Sequence, residues 1–505
     1  MKKFLSGLLL CNLIISGSYC QLSGPQPGDI YKEFALNLKS GNNWRVTDPD
    51  AGASGALDFL PNPVMTMQID DLEGAIRAEA LMDIWGGHTG TTGKKFRFNG
   101  KPWIDIPDHP TIPENSECYN SEFNYITELP LSYLHTGNNT FEGISGGQTC
   151  FNFDWGQWGW YVMLVRVYYG PEKLHPTGSI TSHPSGSDVI ELDTIMVDAY
   201  SSVGIKQVDL LGKYMGYDEN GDGIYMDWHR NYHTPVLEGH LGSVKNPPYK
   251  FIWENQWVPD QAPESVSFLA RIQDSSNVWC VTEIVDNISL VRPEGVSVKM
   301  FTAEEVPQKF WVRAGKQQYC YINIDDLSNA TNAMLIHRTW NGQDGGAGSG
   351  TIENPLSVNN WQGKVEGVNH NYALSRVRVP VISIREGSNR VGYYSDTDHH
   401  GIEILWPGPA ILIRYNMWET YIADEQTVEE LHVYPVPASH SIYIELPSLH
   451  EKADIFFINS VGQKSQAILY ADASRISTGN LESGAYFLVI QTDKQVLYTK
   501  ILVLN

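Results

Sequence analysis

The chain has 505 residues, with 35 Lys and Arg against 58 Asp and Glu and a formal charge of −23. That length exceeds what a single core fills and divides into three or four domains. The acidic balance, with no cluster of basic residues, excludes nucleic acid as a partner and favours neutral sugars or cation-bridged contacts over bare polyanions.

Taken in chain order, residues 1–20 read as a signal peptide. Met1-Lys2-Lys3 is followed by an apolar run and then by small residues up to Cys20, with cleavage expected before Gln21. No later segment holds 18 uninterrupted apolar residues, so no transmembrane segment is expected in the mature chain. Cleavage leaves Cys118, Cys150, Cys280 and Cys320 where disulfides persist. Cys118 with Cys150 is the favoured pair, because both fall in one predicted domain. Cys280 with Cys320 would tether neighbouring domains, and buried unpaired thiols are the alternative.

Residues 21–62, rich in Gly, Pro and Asn, read as a lead-in with little regular structure. Strands are predicted at 63–69, 74–84, 94–98, 125–131, 139–142 and 161–169, separated by Gly, Pro, Asn and Asp turns, with no sustained helical period. The fold class is therefore all-β and multidomain. Residues 63–174 form a first β-sandwich, 175–295 a central unit, 300–422 a second sandwich and 430–505 a small C-terminal sandwich. The second flank repeats the first. Ile84-Trp85-Gly86-Gly87 answers to Thr339-Trp340-Asn341-Gly342, and Leu134 to Asn139 answers to Ile384 to Asn389. Arg166 and Arg414 close the last strand of each copy.

The central unit carries Gly216-Tyr217-Asp218-Glu219-Asn220-Gly221-Asp222-Gly223. Oxygen ligands at alternate positions followed by Gly fit a calcium loop. His229 stands where an EF-hand needs a bidentate Glu, and the flanks are not helical. The reading is a β-loop with Asp218, Asn220, Asp222 and Asp227 as calcium ligands, or an Asx turn holding no ion.

Several stretches resemble known modules. The strand, Gly-Asn turn and strand near the end of each flank resemble extracellular jelly-roll domains, a likeness that implies two jelly rolls. Ser265 to Asp274 followed by Val278 to Thr282 resembles the last strands of bacterial immunoglobulin-like domains, which are spacers or binding modules. Val433-Tyr434-Pro435-Val436-Pro437, Leu481-Glu482-Ser483-Gly484-Ala485-Tyr486 and Lys500-Ile501-Leu502-Val503 resemble the C-terminal sorting domain of the type IX secretion system of Bacteroidota. Val436 stands where that family often has Asn. The resemblance implies passage through the type IX secretion machinery and release or attachment at the outer surface. Paired jelly rolls are similar, in architecture alone, to bacterial peptide-N-glycanases and copper monooxygenases, and no motif of either is present.

Candidate ligand contacts fall in both flanks. Trp85, His88, Trp155 and Trp158 in the first, with Trp340 as the counterpart of Trp85, supply aromatic faces for sugar rings; plain core packing is the alternative. Residues 396–403, with Asp398, His400 and Glu403, form the densest polar cluster in the second, with His400 and Asp398 on one side of an extended chain and His370 able to converge from a distant loop; a transition-metal site and a satisfied structural cluster are the alternatives. Asp83, Glu403 and Asp398 are the candidate acids, and Arg338 a candidate charge neutraliser. No nucleophile elbow, zinc-protease motif or phosphate loop occurs. The expectation is a surface or extracellular protein that binds glycan through paired sandwiches. The alternatives are a secreted polysaccharide lyase or glycoside hydrolase, or an adhesin for protein.

Overall fold

The computed structural model describes residues 24–37, 45–52, 54–108, 118–151, 155–233, 236–341, 354–366, 370–398, 400–417, 432–434, 436–445, 454–459, 463–469, 475–491 and 496–504. The signal segment and His399 lie outside the described residues. Two compact units divide the chain, Met1–Thr420 and Tyr421–Asn505.

The first sandwich is framed by β1 (Ile30–Asn37), β2 (Met65–Ile69), β3 (Ala75–Trp85), β4 (Lys95–Phe98), β5 (Ile104–Asp105), β6 (Glu122–Glu128), β7 (Gly137–Ile144) and β8 (Gln157–Tyr169), and Arg45–Thr47 also pairs with β8. One sheet runs β1-β8-β3-β6 and the other β2-β7-β4-β5, with antiparallel neighbours throughout. β8 is buried at every position, as a strand covered on both faces must be. Its Trp158 and Trp160 pack with Phe96, Phe98 and Phe141.

β1 corrects the expected lead-in. It pairs with β8 from Ile30↔Tyr169 to Asn37↔Val162, so the first sandwich begins well before residue 63. The turn-forming residues that suggested irregular chain lie on either side of it, and the strand itself contains no Gly or Pro.

The second sandwich has β9 (Val296–Thr302), β10 (Lys316–Ile324), β11 (Ala330–Asn341), β12 (Leu356–Val358), β13 (Trp361–Gly363), β14 (Asn371–Val379), β15 (Gly387–Ser395) and β16 (Ala410–Asn416). Its sheets run β9-β16-β11-β14, to which Ile402–Ile404 adds along β11 and Trp311–Val312 along Ile402–Ile404, and β10-β15-β12-β13. Within these labelled strands, the order matches that of the counterparts eight labels earlier. The duplication extends to side chains. Asn139 Nδ2 donates to the carbonyls of His135 (2.7 Å) and Gly137 (3.0 Å), and Asn389 does the same to Arg385 (2.7 Å) and Gly387 (3.0 Å). Asn99 and Asn359, both left-handed at φ 50° and 53°, donate in turn to Asn139 (2.8 Å) and Asn389 (2.7 Å). Asn tolerates that backbone region and can bond locally, so its use at this turn in both copies has a physical cause.

Between the sandwiches lies a two-layered unit. Thr177–Ile180, Asp193–Tyr200 and Tyr249–Trp253 form one sheet, and Ile205–Met215, Val266–Asp274 and Val285–Leu290 lie in the other. Trp279–Val281 bonds to β1 at Ile30 and Tyr31 and joins the second of these sheets to the first sandwich. The closing arginines anchor both flanks to this unit. Arg166 Nη1 and Nε reach Glu79 (2.7 Å) and Glu33 (2.8 Å), and Glu33 also accepts from Tyr232 (3.0 Å). Arg414 forks onto Glu191 at 2.7 and 2.9 Å. The C-terminal unit consists of two four-stranded sheets around Ile442, Phe457, Leu488 and Ile501.

Candidate functional site

The two sandwiches meet around four charged side chains. Asp83 lies near the end of β3, and β6 begins beside it with Glu122; the ladder pairs Asp83 with Asn124 and Trp85 with Glu122. The hairpin of Asn231–His233 and Val236–Glu238 brings His233 from the central unit. Asn124 fixes that hairpin, accepting from Tyr232 N at 2.5 Å and donating to Tyr232 O at 3.0 Å. β11 contributes Arg338 and β14 contributes Asn371.

His233 Nδ1 lies 2.8 Å from Asp83 Oδ2 and 3.3 Å from Glu122 Oε1, and its Nε2 lies 2.9 Å from Asn371 Oδ1. Both ring nitrogens face oxygen acceptors, which suits an imidazolium. Arg338 forks onto Glu122, with Nη2 to Oε1 at 2.8 Å and Nε to Oε2. Asp83, Glu122, His233 and Arg338 are buried, Asp83 at 0% exposure. Burial and the adjacent Glu122 push Asp83 up to about 8. Burial would raise Glu122 as well, but Arg338 and His233 outweigh it and hold Glu122 at about 2. Burial lowers His233, but its bonds to Asp83 and Glu122 prevail and push it up to about 10. One carboxyl therefore tends to keep its proton while its neighbour stays ionised.

A partly exposed group continues outward from this point. Tyr161 OH accepts from Trp340 Nε1 at 2.8 Å and donates to His370 O at 2.9 Å. His370 Nε2 meets His400 Nδ1 at 2.8 Å, and Trp311 Nε1 donates to His400 O at 2.7 Å. Both histidines hold left-handed backbone, φ 55° and 65°, a conformation that costs energy outside Gly and clusters at functional sites. Glu403 sits across the strands from Trp311 and Trp340, and burial pushes its carboxyl up to about 8.

Asp83, Glu122 and His233 also bring three ligand atoms within 4.8 Å of one another. Both oxygens of Glu122 are already taken by Arg338, whose charge replaces what an ion would bring, so the donor set suits an ion-pair cluster better than a metal.

The residues expected to bind ligand separate into three groups. His370 meets His400, and Glu403 lies across the ladder from Trp340, whereas Asp398, expected beside His400, is exposed. Trp85, Trp158 and Trp340 are buried at 6%, 0% and 3% exposure, which overturns a stacking platform built on them. Trp158 lies on a strand covered on both faces, and Trp340 packs into the first sandwich's core. His88 and Trp155 are partly exposed and meet edge-on at 4.3 Å, and burial pushes His88 down to about 4. Sequence reasoning named Asp83 and Arg338 and missed Glu122, His233 and Asn371.

In the central loop, Asp218 accepts from the amides of Asp222 (3.0 Å) and Gly223 (2.8 Å), and Asn220 Nδ2 donates to Asp222 Oδ2 (3.1 Å). Asp218, Asn220, Asp222 and Asp227 line a cavity of about 200 Å³. Burial, with Asp222 nearby, raises Asp218 to about 6. Cys118 and Cys150 form a disulfide, whereas Cys280 and Cys320 are free, so the tether between domains does not form.

Residues 432–504 match the secretion system C-terminal sorting domain. The chain is thus routed through that secretion machinery to the outer surface, and no described helix is long and apolar enough to cross a membrane. No curated protein matches the chain. Several solved structures show remote likenesses. A β-porphyranase of glycoside hydrolase family 86 from Bacteroides plebeius is 9% identical, with 50% of this chain and 38% of that one covered and a TM-score of 0.20. Fibronectin(III)-like modules of CbhA from Clostridium thermocellum are 9% identical, covering 65% and 93% at a TM-score of 0.15. Latent PorU from Porphyromonas gingivalis is 9% identical, covering 67% and 35% at 0.16. Scores this low carry no argument about function, and the chain spans well under half the length of the porphyranase.

Proposed function

We propose that the chain is an exported glycan-active protein that holds carbohydrate at the junction of its two sandwiches and hydrolyses it there by acid–base chemistry. The observation that carries this reading is the convergence of Asp83, Glu122, His233 and Arg338, drawn from both sandwiches and the central unit. The strand order shared by the two flanks, four antiparallel strands facing four with further short strands added, supports reading each as a jelly roll. Neighbouring carboxyls whose affinities for protons are driven apart mark acid and base roles. Here Asp83 and Glu403 are the proton-holding groups and Glu122 is the ionised one. Asp83 and Glu122 lie closer than the roughly 5–9.5 Å used by glycosidase pairs, so they act as one unit sharing a proton. Glu403, His370 and His400, being partly exposed, are the groups a sugar meets first.

Incubation of the secreted protein with polysaccharides and glycopeptides, followed by assays for reducing ends, released glycans and unsaturated products, tests the proposal. Hydrolysis products support it, and unsaturated products point instead to a lyase. A second reading, binding without cleavage, is favoured by the complete burial of Asp83; bound glycan with no product would select it. We also propose a structural calcium ion in the loop bearing Asp218, Asn220, Asp222 and Asp227, where several carboxylates border one cavity.

A further inference from the structure

We propose that the second sandwich carries a separate binding groove for anionic saccharide, a sugar bearing sulfate or carboxylate groups, on the sheet β10-β15-β12-β13. Tyr321, Asn359, Asn360, Trp361, Arg385 and Arg390 line an open groove of about 780 Å³, a size that takes a short oligosaccharide. Tyr321 and Arg390 are direct cross-strand partners, and both are exposed. Trp361 lies over Gly363, where an added Cβ would come within 2.3 Å of the ring.

The duplication supplies an internal control. Asn99 with Asn139 and Asn359 with Asn389 make the same turn cage in both copies, so the fold's own requirements at this place are met alike. The residues facing outward differ. Thr66 pairs with Thr140 where Tyr321 pairs with Arg390, and Lys101, two residues beyond Asn99, stands where Trp361 follows Asn359. The second copy thus has Tyr321, Arg390, Trp361 and Arg385 where the first has Thr66, Thr140, Lys101 and His135; Arg385 Nε also donates to Ser388 O (2.9 Å) and the Arg390 guanidinium lies 4.6 Å from the Tyr319 ring. Aromatic rings stack on the apolar face of a sugar, and guanidinium forks onto sulfate or carboxylate. Two exposed arginines in one groove of a chain with net charge −23 are locally complementary to an anion, against the overall field. The groove is independent of the junction chemistry.

The test is affinity electrophoresis and calorimetry of the full mature chain with chondroitin sulfate, polygalacturonate and uncharged dextran. At least one anionic polymer should bind, dextran should not, and binding should weaken about tenfold or more between low and high salt. Arg390→Gln, an exposed change that leaves the core alone, and Trp361→Ala should each weaken binding at least fivefold, while Lys101→Ala and Asp83→Asn should not change it. Equal binding of dextran, no binding to either anion, or anion binding untouched by Arg390→Gln and Trp361→Ala would each overturn the groove. Retained binding in Asp83→Asn keeps this outcome separate from the fate of the junction proposal.

Discussion

Asp83 and Arg338 stand at equivalent positions of the two sandwiches, two residues before Trp85 and Trp340, and both act on Glu122: Arg338 pairs with its carboxylate, and the nearby Glu122 charge helps Asp83 keep its proton. Matching strands of the two sandwiches thus contribute an acid and a guanidinium, and together they form one charge-compensated site that neither could form alone. Compensation inside a low dielectric is what allows Glu122, His233 and Arg338 to be buried together as ions beside a protonated Asp83.

Arg338→Met leaves Glu122 buried with half its compensation gone. A loss of about 3–5 kcal/mol in unfolding free energy is expected, measured by urea titration. Adding Glu122→Gln should recover part of it, because the orphaned charge is then removed. A single-variant loss under about 1 kcal/mol would mean that the pair is hydrated and the junction looser than described.

The junction also sets a pH profile. Asp83 and Glu403 bind protons more tightly when folded, at about 8, so their contribution is full in acid and is lost as pH rises through 8. His233, raised to about 10, loses its contribution between its unfolded value near 6.5 and that point. Glu122, lowered to about 2, acts oppositely and loses its contribution only as pH falls through 2. Stability should therefore be greater at about pH 5 than at about pH 9, and Glu403→Gln should flatten the decline between about pH 5 and about pH 8. Equal stability at both values would contradict these assignments.

Cys118 and Cys150, 32 residues apart in sequence, lock the chain just before Glu122. Replacing both by Ser should cost about 3–4 kcal/mol through the freed unfolded chain and lower the melting temperature under non-reducing conditions. An unchanged melting temperature would show that the bond contributes nothing to stability.

Calcium is expected to raise the melting temperature in proportion to the logarithm of its concentration above Kd, and Asp222→Ala should abolish the rise. No shift in the parent chain would leave the loop as a turn held by its own amide bonds to Asp218.

The sandwiches were legible in the sequence because Gly-Asn turns and short apolar runs recur in order, and 161–169 and 74–84 fall on β8 and β3. β1 was hidden by its neighbours' turn residues. The Trp platform failed because alternation identifies two faces of a strand without telling that both are covered, as in β8. Asp83 and Arg338 were visible as candidates. His233 was not, since nothing in Asn231–His233 signals that a hairpin of one domain reaches into the contact between two others.

The central claim rests on the junction's proton-holding acid. The direct measurement is product release from a glycan or glycopeptide that the parent chain cleaves, compared between the parent, Asp83→Asn and Glu403→Gln, each first shown by circular dichroism and melting to be folded. The account predicts that Asp83→Asn loses at least a hundredfold in kcat with glycan affinity retained, and that Glu403→Gln is also slowed. Full activity in a folded Asp83→Asn, or no product from the parent on any glycan, would contradict it.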